Sequence, residues 1–401
     1  GVGTSSLKCN TTASNNTAVG QNALTANTTG TQNVSIGSIS SVTNTTGCYN
    51  TAVGHASLYN NSTGCRNTAL GNFAGNDNTT ANDNTSVGYF ALKANTTGAN
   101  NVALGACALT LNTASNNTAV GLCALYANTT GTPNVAVGYR ALRLNTTGTA
   151  NTALGACALC KNTTGSNNVS VGYQAGFSNQ TGAYITAVGL QAAYNTTVNE
   201  VAAFGHQAGC ANTTGTRNTF IGPFSAVANT TGSDITAIGS AALAANTTGA
   251  YNVAVGRNSL ASNTTGEQNT AIGRVALQSN IAGICNTAVG HNALNSNLCC
   301  FNTAVGNEAL RLNTTGQYNT AIGNSALICN TTAVQNTATG WCALALNTTA
   351  SYNSANSAYA LRSNTTGASN TAIGRASLSL NTTGACNTAV GASALYGNTT
   401  A

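Results

Sequence analysis

The 401 residues include no methionine, two prolines and one tryptophan. Charge is equally scarce: 12 Lys and Arg stand against 6 Asp and Glu, 4% of the chain, where a soluble domain ordinarily carries roughly a quarter. The carboxylates Asp77, Asp83, Glu200, Asp234, Glu267 and Glu308 are scattered, so no acid and base pair at catalytic distance is expected. No Ser-His-Asp set can be assembled, and the glycines form no phosphate loop. An enzyme is therefore not expected, and neither a metal nor a cofactor is implied. The net charge of +6 is spread too thinly for a nucleic-acid stripe. No apolar run reaches the ~18 residues of a membrane span, and the opening GVGTSSLKCN lacks a secretory hydrophobic segment. Forty-four glycines with two prolines exclude collagen. Disorder is opposed by abundant Val, Ile and Thr and a mean hydropathy near zero.

What the chain does have is a repeat. Asn16-Thr17-Ala18-Val19-Gly20 recurs in altered form along the whole sequence with a period of 17, three steps being 16. The consensus N-T-A-V-G-x-x-A-L-x-x-N-T-T-G-x-x defines positions one to seventeen. The rung at Asn353–Ser357 has lost both the apolar fourth residue and the Gly. Residues 1–401 read as one continuous array that begins and ends in mid-repeat, which predicts a window from a longer fibre protein.

Seventeen residues are too few for a helix pair, and Asn, Thr and Gly at fixed places oppose helix. Positions two and four, as in Val34 with Ile36, share one face of an extended segment, and small position-three residues such as Ala52 share the other. Gly at position five suits a turn with positive φ; Ala-Leu at eight and nine supplies a second core column; N-T-T-G turns the chain back. The fold class expected is all-β, a parallel β-solenoid or β-roll of about 23 rungs, stacked ~4.8 Å apart into a rod roughly 110 Å long. Stacking accounts for the missing charge, because like charges at strand spacing repel. Arg257 and Arg274, both at position six of successive rungs, are the exception. The Leu and Val columns are expected inside, leaving the Ala column as a smooth outer stripe for another chain to cover. The plainer alternative turns Ala inward, with Thr and Val facing solvent.

The 14 cysteines suggest rung-to-rung staples. Cys48 and Cys65 share position sixteen of adjacent rungs, and Cys107 and Cys123 share position seven, within disulfide reach. Cys285 with Cys299 or Cys300, and Cys329 with Cys342, are looser candidates. Stapling would place the chain in an oxidising, extracellular setting; the alternative is that Cys replaces Ala or Ser in small columns. Asn-x-Ser/Thr recurs at positions twelve to fourteen and makes glycan acceptors of Asn10, Asn27, Asn44, Asn61, Asn95, Asn128, Asn145, Asn162, Asn212, Asn229, Asn246, Asn263, Asn313, Asn347, Asn364 and Asn381. Against this, Asn and Thr also form ladders inside solenoids without sugar.

The N-T-A-V-G-x-x-A-L and N-T-T-G motifs together resemble the head repeats of trimeric autotransporter adhesins, and still more the NTAVG-type arrays of tail-fibre-like and cell-surface proteins. The resemblance covers the entire chain. It implies a left-handed parallel β-roll that assembles as a homotrimer and serves as a fibre or adhesive spacer. The expected function is thus a structural subunit of an extracellular filament or surface appendage, on a cell or virion, open to glycosylation and adhesive contacts. Variable positions, including Tyr89, Tyr139, Arg143, Tyr173 and Trp341, are where a receptor would be read. The alternative is an ice- or carbohydrate-binding solenoid using the Thr columns at thirteen and fourteen.

Overall fold

A computed structural model describes residues 1–400. It is all-β, with 23 short strands, one per rung, and no helix among the described residues. The chain read above as one array divides into two compact units, Gly1–Glu200 and Val201–Ala401, the boundary falling at the end of a sixteen-residue rung. The first unit holds β1 (Thr17–Val19) to β11 (Ile185–Val188), and the second β12 (Val201–Phe204) to β23 (Thr388–Val390). Within each unit strands pair in parallel with their sequence neighbours and in register. Thr270 lies beside Thr287, Ala271 beside Ala288 and Ile272 beside Val289. At strand spacing each unit extends roughly 50 Å along its stack. The parallel β-solenoid expected from the period is the fold.

The two faces of the strand are the reverse of the leading expectation. Ala254, Ala271 and Ala288 are fully buried, whereas Ile36, Leu70, Leu104 and Ile272 at position four are exposed. The reason is width. Position three looks across the lumen at Ala of position eight and Leu of position nine, as in the continuous core of Ala103, Ala108, Leu109, Ala119, Ala124 and Leu125. Where Leu fills the lumen at position nine, position three has room for little more than a methyl group, and Val and Ile at position four stand on the outer face.

The corners need left-handed backbone. Asn258, Leu260 and Tyr251, at positions seven, nine and seventeen, have φ of 56°, 49° and 59°, a conformation that costs non-glycine residues energy unless the fold enforces it. Here rung-to-rung hydrogen bonds enforce it: Leu260 N–H donates to Ala276 O at 3.0 Å and Asn258 N–H to Ser240 O at 3.0 Å. Gly256, at position five, has φ 129°, and a Cβ there would meet the Gly273 carbonyl oxygen at 2.6 Å. Ser357 occupies this same place at φ 124°.

Beside the apolar core run two buried asparagine ladders. At position twelve, Asn246 Nδ2 donates to Gly249 O at 2.9 Å and to Asn229 Oδ1 of the preceding rung at 2.8 Å. At position one, Asn252 Nδ2 donates to Gly266 O at 2.7 Å while its Oδ1 accepts the Asn269 N–H at 3.0 Å. The sixteen-residue rungs shorten the turn after position twelve. Asn112 Nδ2 reaches Ala114 O, two residues on, where Asn128 reaches Gly131 O, three on.

One core exchange stands out. Position nine is Gly209 and then Ala226 in successive rungs, and the volume missing from the Leu column is filled by fully buried Phe220 from position three. A side chain on Gly209 would collide with the Phe220 ring.

Candidate functional site

The sequon asparagines are interior groups. Asn27, Asn44, Asn61, Asn95, Asn128, Asn145, Asn162, Asn212, Asn229, Asn246, Asn263, Asn313, Asn347, Asn364 and Asn381 are all buried, and Asn10 is half-buried. The amide nitrogen that would carry a glycan is the atom that donates along the ladder, as in Asn145 to Gly148 O at 3.0 Å and to Asn128 Oδ1 at 2.8 Å. In the folded rung these asparagines form the internal ladder that stood as the alternative to a glycan acceptor. The signal that could have told the two apart is the Gly at fifteen. A Cβ on Gly249 would press on Asn246 Oδ1 as well as on the next rung, so small residues there accompany an inward Asn.

The cysteines are also corrected. Cys48, Cys65, Cys107, Cys123, Cys285, Cys300, Cys329 and Cys342, with the other six, are all free thiols. Register does bring Cys48 beside Cys65, but as hydrogen-bonding groups: Thr31 N–H donates to Cys48 Sγ at 3.3 Å and Cys48 N–H to Cys65 Sγ at 3.1 Å. Ser166 and Ser233 hydroxyls accept the equivalent N–H groups of Thr149 and Thr216 at 3.0 and 3.1 Å. Cys at sixteen thus does the work of Ser. Cys285 donates to Gln268 Oε1 at 3.1 Å, and Cys300 accepts from Ile284 N–H at 3.2 Å. Cys329 and Cys342 occupy different columns, eleven and seven. Burial pushes the Cys107, Cys210, Cys300 and Cys329 thiols up, and Cys160 to about 11. Raised further above neutrality, these thiols are protonated at neutral pH.

Of the two Thr columns, thirteen is spent internally. Thr247 Oγ1 donates to Thr264 O at 3.1 Å, and the same bond recurs in other rungs. Outward-facing chemistry is carried by position fourteen, where Thr29, Thr46 and Thr248 are exposed, and by positions two, four, six, seven, ten, eleven and seventeen. Column seventeen stacks complementary neighbours. Arg66 pairs with Asp83 at 2.6 Å and Arg217 with Asp234 at 2.7 Å, both carboxyls held below their ordinary range by those guanidinium hydrogen bonds. Phe301 and Tyr318 stack with centroids 5.2 Å apart. Asp77 lies in a regular rung and accepts from Asn60 at 3.1 Å. Arg274 lies 3.2 Å from His291 Nε2 in column six.

Shallow depressions lie between columns seven and ten in each unit. In the first, Ile39, Ala56, Tyr59 and Phe73 line about 250 Å³. In the second, Tyr359, Arg362, Arg375, Ser379, Ser393 and Tyr396 line about 290 Å³. Of the surface residues singled out from sequence, Trp341 lies tilted at 52° against Tyr359 with ring centroids 4.7 Å apart, and Tyr139 carries the Arg140 guanidinium 4.9 Å from its ring centroid. The residues lining these depressions were not singled out. Their signal was positional, since Arg362 and Arg375 follow the last carboxylate, Glu308. Among the described residues no group of three His, Cys, Asp or Glu could hold a metal ion. No protein-family model matches the chain, and no curated protein does either.

Proposed function

We propose that this chain is a structural subunit of an extracellular filament or surface appendage, a non-enzymatic spacer that self-associates. The observation that carries the reading is the outer face of the strands. Position four is Val, Ile, Leu or Phe in every rung but two, Thr339 and Asn356, and neither position two nor position four carries a charge. A monomer rarely exposes an apolar stripe of this length, and flat parallel strands pack face to face at about 10 Å. A second copy, most simply in a homotrimer as the repeat resemblance implies, would cover it. Stiffness comes from the in-register ladders and not from staples or sugars.

Analytical ultracentrifugation and negative-stain imaging of the purified chain test this. Discrete oligomers or filaments are expected, reverting towards monomer when Ile272, Val289 and Val305 are changed to Lys. A chain that stays monomeric at high concentration and images as compact globules would sink the reading. A second reading, ice binding, is favoured by the outward Thr column at position two, for example Thr270, Thr287, Thr303 and Thr320 in adjacent rungs. Thermal hysteresis of a monodisperse sample distinguishes it.

A further inference from the structure

Two of the three sixteen-residue rungs interrupt the asparagine ladder at position twelve. In a regular rung the Asn Oδ1 accepts from the Asn Nδ2 of the next rung, as Asn246 does from Asn263 at 2.8 Å. In the short rung Asn112 turns its Nδ2 to Ala114 O at 2.7 Å, and Asn95 Oδ1 in the rung before is left buried with no partner. Asn297 repeats this: it donates to Cys299 O at 2.7 Å and leaves Asn280 Oδ1 buried and unpaired. The third short rung is the comparison that the molecule supplies. There Gly182 N–H donates to Asn179 Oδ1 at 2.9 Å, so that carbonyl is satisfied.

The backbone is detached at the same two steps. In a regular turn the N–H groups of positions thirteen and fourteen share one carbonyl of the next rung, and Thr247 and Thr248 both donate to Thr264 O, at 2.9 and 3.2 Å. The corresponding N–H groups of Thr96 and Thr97, and of Ile281 and Ala282, have no acceptor among the described residues, and all four residues are exposed. The first of these turns is regular in itself, since Asn95 Nδ2 reaches Gly98 O at 2.8 Å and Thr96 O accepts the Thr79 N–H at 3.0 Å. Only its attachment to the following rung is lost. Bonds on either side persist, from Ala94 N–H to Thr110 O at 2.9 Å and from Ala99 N–H to Ser115 Oγ at 3.0 Å.

We infer that the solenoid opens locally at these two steps: the turns 95–98 and 280–283 lift from the rung that follows while the strands stay paired, which builds two points of yield into a stiff stack. A buried carbonyl without a donor raises the free energy of the closed turn and is relieved when the turn opens to water. With the neighbouring backbone bonds also missing, little opposes that opening. It is a property of the single chain and is independent of the filament reading.

Hydrogen exchange on the full chain, read residue by residue by mass spectrometry with electron-transfer fragmentation, tests this. Two pairs of amides match in residue type, in column and closely in bond length. Ala94 donates to Thr110 O at 2.9 Å and Ala245 to Ala261 O at 3.0 Å; Ser279 donates to Asn295 O at 2.9 Å and Ser262 to Gln278 O at 3.1 Å. Ala94 and Ser279 adjoin the detached turns, and their protection factors are expected to be at least about tenfold below those of Ala245 and Ser262, as loss of one or two hydrogen bonds produces. Brief digestion of the native chain with proteinase K should cut first within 95–98 and 280–283, ahead of the turns 179–182 and 246–249, although Thr248 is also exposed. Inserting one Thr after Thr113 together with Ala114→Gly rebuilds the regular turn, and should raise protection at Ala94 about tenfold while leaving Ser279 unchanged. The matched amides need no variant, so their comparison decides even where the insertion does not fold. Protection equal to within about threefold in both pairs, or first cuts spread evenly over the turns, would overturn the inference.

Discussion

At the scale of single residues, the fold tolerates exceptions only in compensated form. Phe220 is the one aromatic in the position-three column, and it fits because the Leu expected at 209 is Gly. Phe220→Ala should cost about 3–5 kcal/mol as a cavity opens, measured as a drop in the urea midpoint. Gly209→Leu alone should destabilise by collision, whereas the two together should recover most of the loss, a non-additivity that only contact explains. Ser357 is uncompensated. It holds φ 124° where the other rungs use Gly, so Ser357→Gly should raise stability by about 1 kcal/mol in the same assay. From sequence, Phe220 was visible as an oddity and Ser357 as a lost Gly. What could not be read is that the first fills a void and the second is strained, because both depend on what the neighbouring rung presents.

At the scale of the rung, the asparagine at position twelve holds a turn closed and joins it to the one before. Asn246 receives the Asn263 Nδ2 bond at 2.8 Å as well as making two of its own. Asn246→Ala would orphan a buried carbonyl at Gly249 and the Asn229 Oδ1, and would remove the acceptor of one Asn263 bond. A loss of about 3 kcal/mol or more is expected by urea denaturation, larger than for an exposed Thr248→Ala in the same turn. The repeat made this column legible as important but ambiguous between sugar acceptor and ladder. Direction decides, and the direction of a side chain at a corner follows from φ at positions nine and seventeen, which the consensus does not spell.

At the scale of the whole molecule, the scarcity of charge becomes a prediction about pH. Asp83 and Asp234 are lowered by their arginine partners, so what they contribute is present above the ordinary carboxylate value near 3.8 and lost as pH falls through their folded values. The raised thiols act in the opposite direction. Cys160 favours the folded state below the unfolded value of 9.0, and that contribution is lost as pH rises towards about 11. Urea midpoints should therefore stay nearly flat from pH 5 to about 8, then fall on both sides. A steep change near neutrality would contradict this account. Iodoacetamide at pH 8 should label exposed Cys9 and Cys386 well before Cys160. Intact mass of chain secreted from a glycosylating host should equal that of the bare polypeptide.

The period, the parallel stack and the absence of ordinary core composition were determined by the amino-acid sequence alone, because a seventeen-residue repeat with Gly and Asn at fixed places has few ways to bury itself. Which face is the interior was decided by tertiary structure. The lumen of so short a rung accepts Ala254 and Ala271 but not Val255 and Ile272, and that steric fact put the apolar stripe outside and the sequon asparagines within. It likewise brought Arg362, Arg375 and Ser379, seventeen or fewer residues apart in sequence, to one depression, since neighbours across a solenoid surface are set by the stacking of rungs.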